Sequence, residues 1–224
     1  VALKRYRDAR AIFNVALKMF VVIGIVGTTL LVLISFPYTR HIADPRNLPA
    51  VLSIAPSLFF CCIMSVYRGY YEGMRNMKPT AMSQVFEAFT KLFVGLGIAY
   101  AVVSFGLAQF HETQAVSGQN AVVFGQKVQS LAEAYSVIYP ISAAGAILGV
   151  TFGTVIGTLF LIILHKVKGD GFSREDLMNS PEPMQARPLA KRLFLTALPM
   201  LASALVLNIT NLIDTVTIQA RLAH

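Results

Sequence analysis

Charge is scarce in this sequence, and the scarcity is organised. Only 13% of the residues are charged, against about a quarter in an ordinary soluble domain. Mean hydropathy is +0.63. Five runs that are uncharged or nearly so cover residues 19–36, 48–67, 79–110, 137–164 and 193–218. A membrane span needs about 20 mainly apolar residues to cross roughly 30 Å of hydrocarbon. In lipid each backbone N–H and C=O must be satisfied within its own segment, so the runs read as helices. The fold class that follows is an all-α polytopic membrane protein with five transmembrane helices. Nowhere does the sequence leave room for a soluble domain of useful size.

Cysteine is scarce too. Cys61 and Cys62 are adjacent inside the second run, which excludes a disulfide framework and fits no metal-ligand spacing. They read as small packing residues. The motifs of common chemistry are missing: no phosphate-cradling GxxxxGK[ST], no GxSxG and no HExxH. His41, His111, His165 and His224 are scattered. The sequence therefore predicts no enzyme, no metal site and no cofactor.

The charge that is present favours one sign, with a net +8. Its placement excludes nucleic acid as the explanation. Lys4, Arg5, Arg7 and Arg10 precede the first run. Arg68, Arg75 and Lys78 lie between the second and third. Lys166, Lys168, Arg174, Arg187, Lys191 and Arg192 lie between the fourth and fifth. The opposite-side segments hold Arg40, Arg46, Lys127 and Arg221. Thirteen cations against four set the orientation, with Lys18 and Lys91 at or inside run edges. By the positive-inside rule the residues before the first span, 68–79 and 165–192 are cytoplasmic, in a multi-pass protein of the cell membrane. The basic surplus is expected to contact anionic lipid.

The segment 165–192 is the clearest linker, with Gly169, Gly171, Pro181, Pro183, Pro188 and a capping pattern from Ser173 to Asp176. It divides residues 1–168, a four-span part, from residues 193–224, with 169–192 as the connection. The non-methionine start and the odd number of spans lead us to expect a piece of a larger protein. A turn is expected at Gly69 and Gly73, followed by a helix opening at Pro79. Pro37 is expected to close the first span, and Pro56 and Pro199 to kink theirs. The polar segment 111–135 is expected to form a short surface helix in its later half.

Three patterns stand out within the runs. Gly145, Gly149, Gly153 and Gly157 recur every fourth residue, a groove free of side chains that lets a second helix backbone approach. This is a packing surface that also suits rocking. Glu87 and Lys91 form an i,i+4 pair. Counted from Pro79 they lie about 12 and 18 Å into the helix, deep in lipid if it enters there. Residues 92–108 alone, however, nearly suffice to span, which would set the pair at the headgroups. Both placements stay open, and intramembrane charge points to a functional site. Asn208, Asn211 and Asp214 make a polar stripe on the last run, suited to lining a cavity or to bonding a neighbouring helix.

The stretch RGYYEGMRNMKPTAMSQVFE, beginning at Arg68 and ending at Glu87, resembles the helix-four to helix-five turn of the polysaccharide exporters. These belong to the multidrug/oligosaccharidyl-lipid/polysaccharide superfamily of flippases. The likeness is to the stage V sporulation protein B type, related to lipid II flippases. RDARAIFNVALK from Arg7, AAGAILGVTFGTVIG around the glycines, and the ALP and NLIDTVTI segments between Ala197 and Ile218 are similar to the same family's helices three, six and seven. The resemblance implies helices three to seven of a fourteen-helix, two-lobe transporter. Residues 1–168 would complete the N-terminal lobe, and residues 193–224 would open the C-terminal one. The family's helices one and two, with their cationic cavity residues, have no counterpart here.

The function implied is alternating-access movement of a lipid-linked oligosaccharide or polysaccharide precursor across the cytoplasmic membrane, with a peptidoglycan precursor for the cell wall as one substrate that the resemblance suggests. The partners expected are membrane lipids, that substrate and a coupling ion. Substrate-path candidates are Arg68, Glu87, Lys91, Asn208, Asn211 and Asp214. Gly145, Gly149, Gly153 and Gly157 are the helix-packing candidates. The alternatives are a drug/cation antiporter of the same superfamily and a membrane-embedded glycan polymerase or ligase. The latter would need more than the His111, Glu112 and Glu133 that the 111–135 segment offers.

Overall fold

A computed structural model describes residues 6–41, 48–117, 121–169 and 186–222. Among them are five long helices: α1 (Tyr6–His41), α2 (Leu48–Gly73), α3 (Lys78–Ser117), α4 (Leu131–Lys168) and α5 (Ala186–Leu222). A small hairpin, β1 (Ala121–Val123) and β2 (Gln126–Val128), stands between α3 and α4. Each helix contains a stretch long and apolar enough to cross a membrane: Arg7–Pro37, Leu48–Gly73, Lys78–Gln114, Leu131–Lys168 and Pro188–Asn211. The chain is an all-α polytopic membrane protein.

The helices outrun the uncharged runs. α1 continues through Pro37 to His41. α5 opens at Ala186 rather than near residue 193, which takes Pro188, Lys191 and Arg192 into its first turns. Proline suits a helix start, where its missing N–H would have no intrahelical partner anyway. The capping pattern from Ser173 to Asp176 lies outside the described residues. Gly169 (φ 67°) ends α4.

The turn after α2 does not use the glycines at 69 and 73, which stay within the helix. Arg75 takes the left-handed conformation instead (φ 57°). The Asn76 N–H donates to the Tyr71 carbonyl at 2.9 Å, and the Arg75 N–H to that of Glu72 at 2.9 Å. These two bonds are a Schellman cap. α3 then begins at Lys78, one residue before Pro79.

The described residues of 111–135 form no separate surface helix. α3 runs on to Ser117, and a two-residue turn at Phe124 (φ 48°) and Gly125 (φ 82°) joins the two short strands. Two positive φ angles in succession match the twist of a tight hairpin. The hairpin is strapped to α3. The Phe124 N–H donates to Gln109 Oε1 (3.1 Å), and the Val122 N–H to Thr113 Oγ1 (3.0 Å). Beneath it Phe110, Val123, Val128, Ala134 and Ile138 form a buried apolar cluster. Ser130 caps α4 by accepting the Glu133 N–H at 3.2 Å.

The chain divides into two compact units. One combines the first 16 residues with those from Phe172 on, and so holds α5. The other, Leu17–Gly171, holds α2, α3, the hairpin and α4. In the second unit α3 and α2 each pack along α4 and touch one another little.

Candidate functional site

The α3–α4 contact is built from two matched series at four-residue spacing. α4 contributes Gly145, Gly149, Gly153 and Gly157, all buried. α3 contributes Ser83, Glu87, Lys91 and Gly95. A Cβ on Gly149 would collide with the Gly95 backbone. One on Gly153 would lie 2.6 Å from Lys91 Cγ and 2.9 Å from the Glu87 carbonyl oxygen. One on Gly157 would lie 3.5 Å from Glu87 Cβ, and one on Gly145 2.8 Å from Ile98 Cγ2. The groove foreseen for the four glycines is therefore filled by α3. Helices in lipid gain their association from such close packing. The same contact presses the Glu87 backbone and the Lys91 stem against α4.

On this support three charges meet. Arg68 Nη2 lies 2.7 Å from Glu87 Oε2, and Lys91 Nζ lies 2.6 Å from Glu87 Oε1. Both carboxylate oxygens are thus engaged. Arg68 Nε donates to Ser83 Oγ at 3.0 Å, and Ser83 Oγ donates to the Thr80 carbonyl at 2.8 Å. The side chains of Glu87, Arg68 and Lys91 are 12%, 19% and 36% exposed, so the carboxylate is innermost and the cations lie outside it. Charge-assisted bonds of this length are the strong ones.

The Arg68–Glu87 bond also bears on depth. Residues 48–67 of α2 are uncharged and about 30 Å long as helix, ending immediately before Arg68. Residues 92–110 of α3 are uncharged and about 28 Å long, beginning immediately after Lys91. Each run alone matches the hydrocarbon thickness of about 30 Å. Because Arg68 touches Glu87, the two runs are in step. α3 as a whole, at about 60 Å, is twice what hydrocarbon needs. This favours the shallower of the two placements: the cluster at one boundary of the hydrocarbon, at headgroup level.

α4 is tied to α2 by hydroxyls. Thr151 Oγ1 donates to the Ser53 carbonyl at 2.5 Å, and Thr158 Oγ1, fully buried, lies 3.1 Å from the Phe60 carbonyl. Near the same end as Arg68, the rings of Tyr67, Tyr70 and Tyr71 surround His165 edge-on, with centroids 5.4–6.2 Å away.

The remaining candidates lie on α5, in the other unit. Asn208, Asn211 and Asp214 are all exposed, and Asn208 Nδ2 donates to the Ala204 carbonyl of its own helix at 2.8 Å. Of the six path candidates the structure brings together Arg68, Glu87 and Lys91. Reading the sequence missed Ser83 and Gly95, although both continue the four-residue spacing of Glu87 and Lys91. It also missed the tyrosine cluster, and Tyr67, Tyr70 and Tyr71 carry no single diagnostic spacing. Among the described residues no group of three or more His, Cys, Asp or Glu could hold a metal ion.

Part of the chain is similar to one curated protein. A 69-residue stretch is 41% identical to Stage V sporulation protein B of Bacillus subtilis (strain 168). The match takes in 27% of this chain and 13% of that protein's length. No family model matches the chain, and no solved structure matches it significantly. The similarity supports, at its coarsest, a relation to proteins of the polysaccharide flippase type.

Proposed function

We propose that this chain is part of a non-enzymatic membrane flippase that moves a lipid-linked oligosaccharide or polysaccharide precursor across the cytoplasmic membrane by alternating access. The observation that carries the reading is the Arg68–Glu87–Lys91 cluster, held on a glycine-packed helix pair in a chain built of membrane-spanning helices. Similarity to Stage V sporulation protein B over 69 residues supports the same reading. A route for a polar headgroup lowers the several kcal/mol that each unsatisfied polar group costs in hydrocarbon.

In this reading the α2–α3 turn and residues 165–192 face the cytoplasm, and the cluster stands at the inner mouth of the route. In this reading α5 opens the second lobe, and Asn208, Asn211 and Asp214 are the polar groups it contributes. A coupling ion or consumption of the substrate drives the movement.

The test is transfer of a fluorescent lipid-linked saccharide across proteoliposomes made with the natural full-length protein. Glu87→Gln and Arg68→Gln are expected to slow transfer at least tenfold. Transfer at the native rate in both variants contradicts the proposal, and so does cleavage or polymerisation of the saccharide without transfer.

A further inference from the structure

The cluster has a charge surplus, and the surplus has a direction. Two cations share one carboxylate, and that carboxylate's oxygens are both taken, Oε2 by Arg68 and Oε1 by Lys91. A guanidinium has five N–H donors and an ammonium three. Among the described residues Arg68 uses Nε on Ser83 and Nη2 on Glu87, while Lys91 donates once. The site is therefore satisfied on its acceptor side and open on its donor side, with net charge +1. Exposure rises from Glu87 to Arg68 to Lys91, so the open donors are the outer ones.

Three further observations specify what fits. The cluster lies where the uncharged runs of α2 and α3 both end, and runs of that length set their ends at headgroup level. α2 and α3 touch little, each being seated on α4, and Lys91 is the most exposed of the three charges. Along α3 from Lys91, Leu92, Phe93 and Leu96 are exposed and apolar. In the adjoining turn Arg75 and Lys78 are exposed, with Glu72 the one acid among them. Outward cations at headgroup level, followed by an apolar flank running into the span, complement a molecule with a phosphate at one end and hydrocarbon at the other.

We propose that Arg68 and Lys91 hold the phosphate of an anionic phospholipid, resident in the leaflet beside the α2–α3 turn. Arg68 and Lys91 supply donors to the phosphate oxygens, and Glu87 competes with the lipid for them. Anionic lipid is preferred over zwitterionic because only the former neutralises the surplus. The proposal concerns a bound lipid and requires no transport, so its failure leaves the flippase reading where it stands.

The experiment is native mass spectrometry of the full chain in detergent, titrated with phosphatidylglycerol, phosphatidylcholine or inorganic phosphate. Phosphatidylglycerol is expected to stay bound where phosphatidylcholine is lost, and equimolar inorganic phosphate is expected not to displace it. Arg68→Gln and Lys91→Gln are each expected to weaken phosphatidylglycerol binding about five- to tenfold. Glu87→Gln, which removes the competing carboxylate, is expected to strengthen it several-fold, an effect that loss of structure cannot produce. Helix content by circular dichroism identifies misfolded variants, and Lys91→Arg, keeping the charge, is expected to bind as the native chain does. Undiminished binding in both cation variants overturns the proposal. So does weakening in Glu87→Gln with helix content retained, and displacement by inorganic phosphate overturns the assignment to lipid.

Discussion

Gly149 of α4 and Gly95 of α3 meet backbone to backbone, with no space for a methyl group between them. This contact fixes how close α3 and α4 lie, and so where Lys91 and Glu87 stand, one and two turns away. Gly149→Val is expected to destabilise the α3–α4 pair by about 1–3 kcal/mol, the usual cost of overpacking. Unfolding of the detergent-solubilised chain by denaturant checks it. Gly69→Ala has open space around it and should be tolerated in the same assay.

Arg68 and Glu87 are expected to be energetically coupled. A double-mutant cycle with Arg68→Gln and Glu87→Gln should give an interaction of about 1–3 kcal/mol, since the bond is charge-assisted and mostly shielded from water. The single Glu87 variant should be the worse of the two, because it leaves Arg68 and Lys91 without a shared anion. Additive effects would show that the pair contributes nothing to stability.

The Thr151 hydroxyl bridges to the Ser53 carbonyl across the α2–α4 contact. Thr151→Val keeps the shape and removes the donor. The expected cost is about 0.5–1.5 kcal/mol, the range for hydrogen bonds between helices in lipid. The same denaturation experiment measures it.

Gly125 turns the hairpin at φ 82°, with nothing near its Cα to obstruct a side chain. Gly125→Ala therefore isolates backbone strain, about 1–2 kcal/mol. Because the hairpin packs on the far end of α3, away from the Gly95–Gly149 contact, the loss should be local. Hydrogen exchange at Val122 and Phe124 should quicken while exchange in α3 near Gly95 stays unchanged.

Five spans and their order were legible because they rest on a one-dimensional signal, charge-free length, and the glycines that lie against α3 stood out by their four-residue spacing. Glu87 and Lys91 were legible as a pair for the same reason, being one turn apart on one helix. Their third partner was visible only as a nearby cation, since Arg68 reaches Glu87 through the folding back of α3 onto α4 beside α2. The turn was misread because glycine propensity pointed to residues 69 and 73, whereas hydrogen bonds to the Tyr71 and Glu72 carbonyls put Arg75 in the left-handed position. The hairpin was missed because its strands are three residues each, too short for alternation to register against the polar surroundings.

The most direct test of the account is the sidedness of three introduced thiols in intact cells, using a membrane-impermeant reagent on a Cys61→Ser, Cys62→Ser background of the natural full-length protein. Lys78→Cys, in the α2–α3 turn, and Lys166→Cys, at the end of α4, should share one face. Lys127→Cys, in the hairpin, should react from the other. Labelling of the first two from opposite faces would contradict the threading of these helices, and with it the placement of Arg68, Glu87 and Lys91 at a membrane boundary.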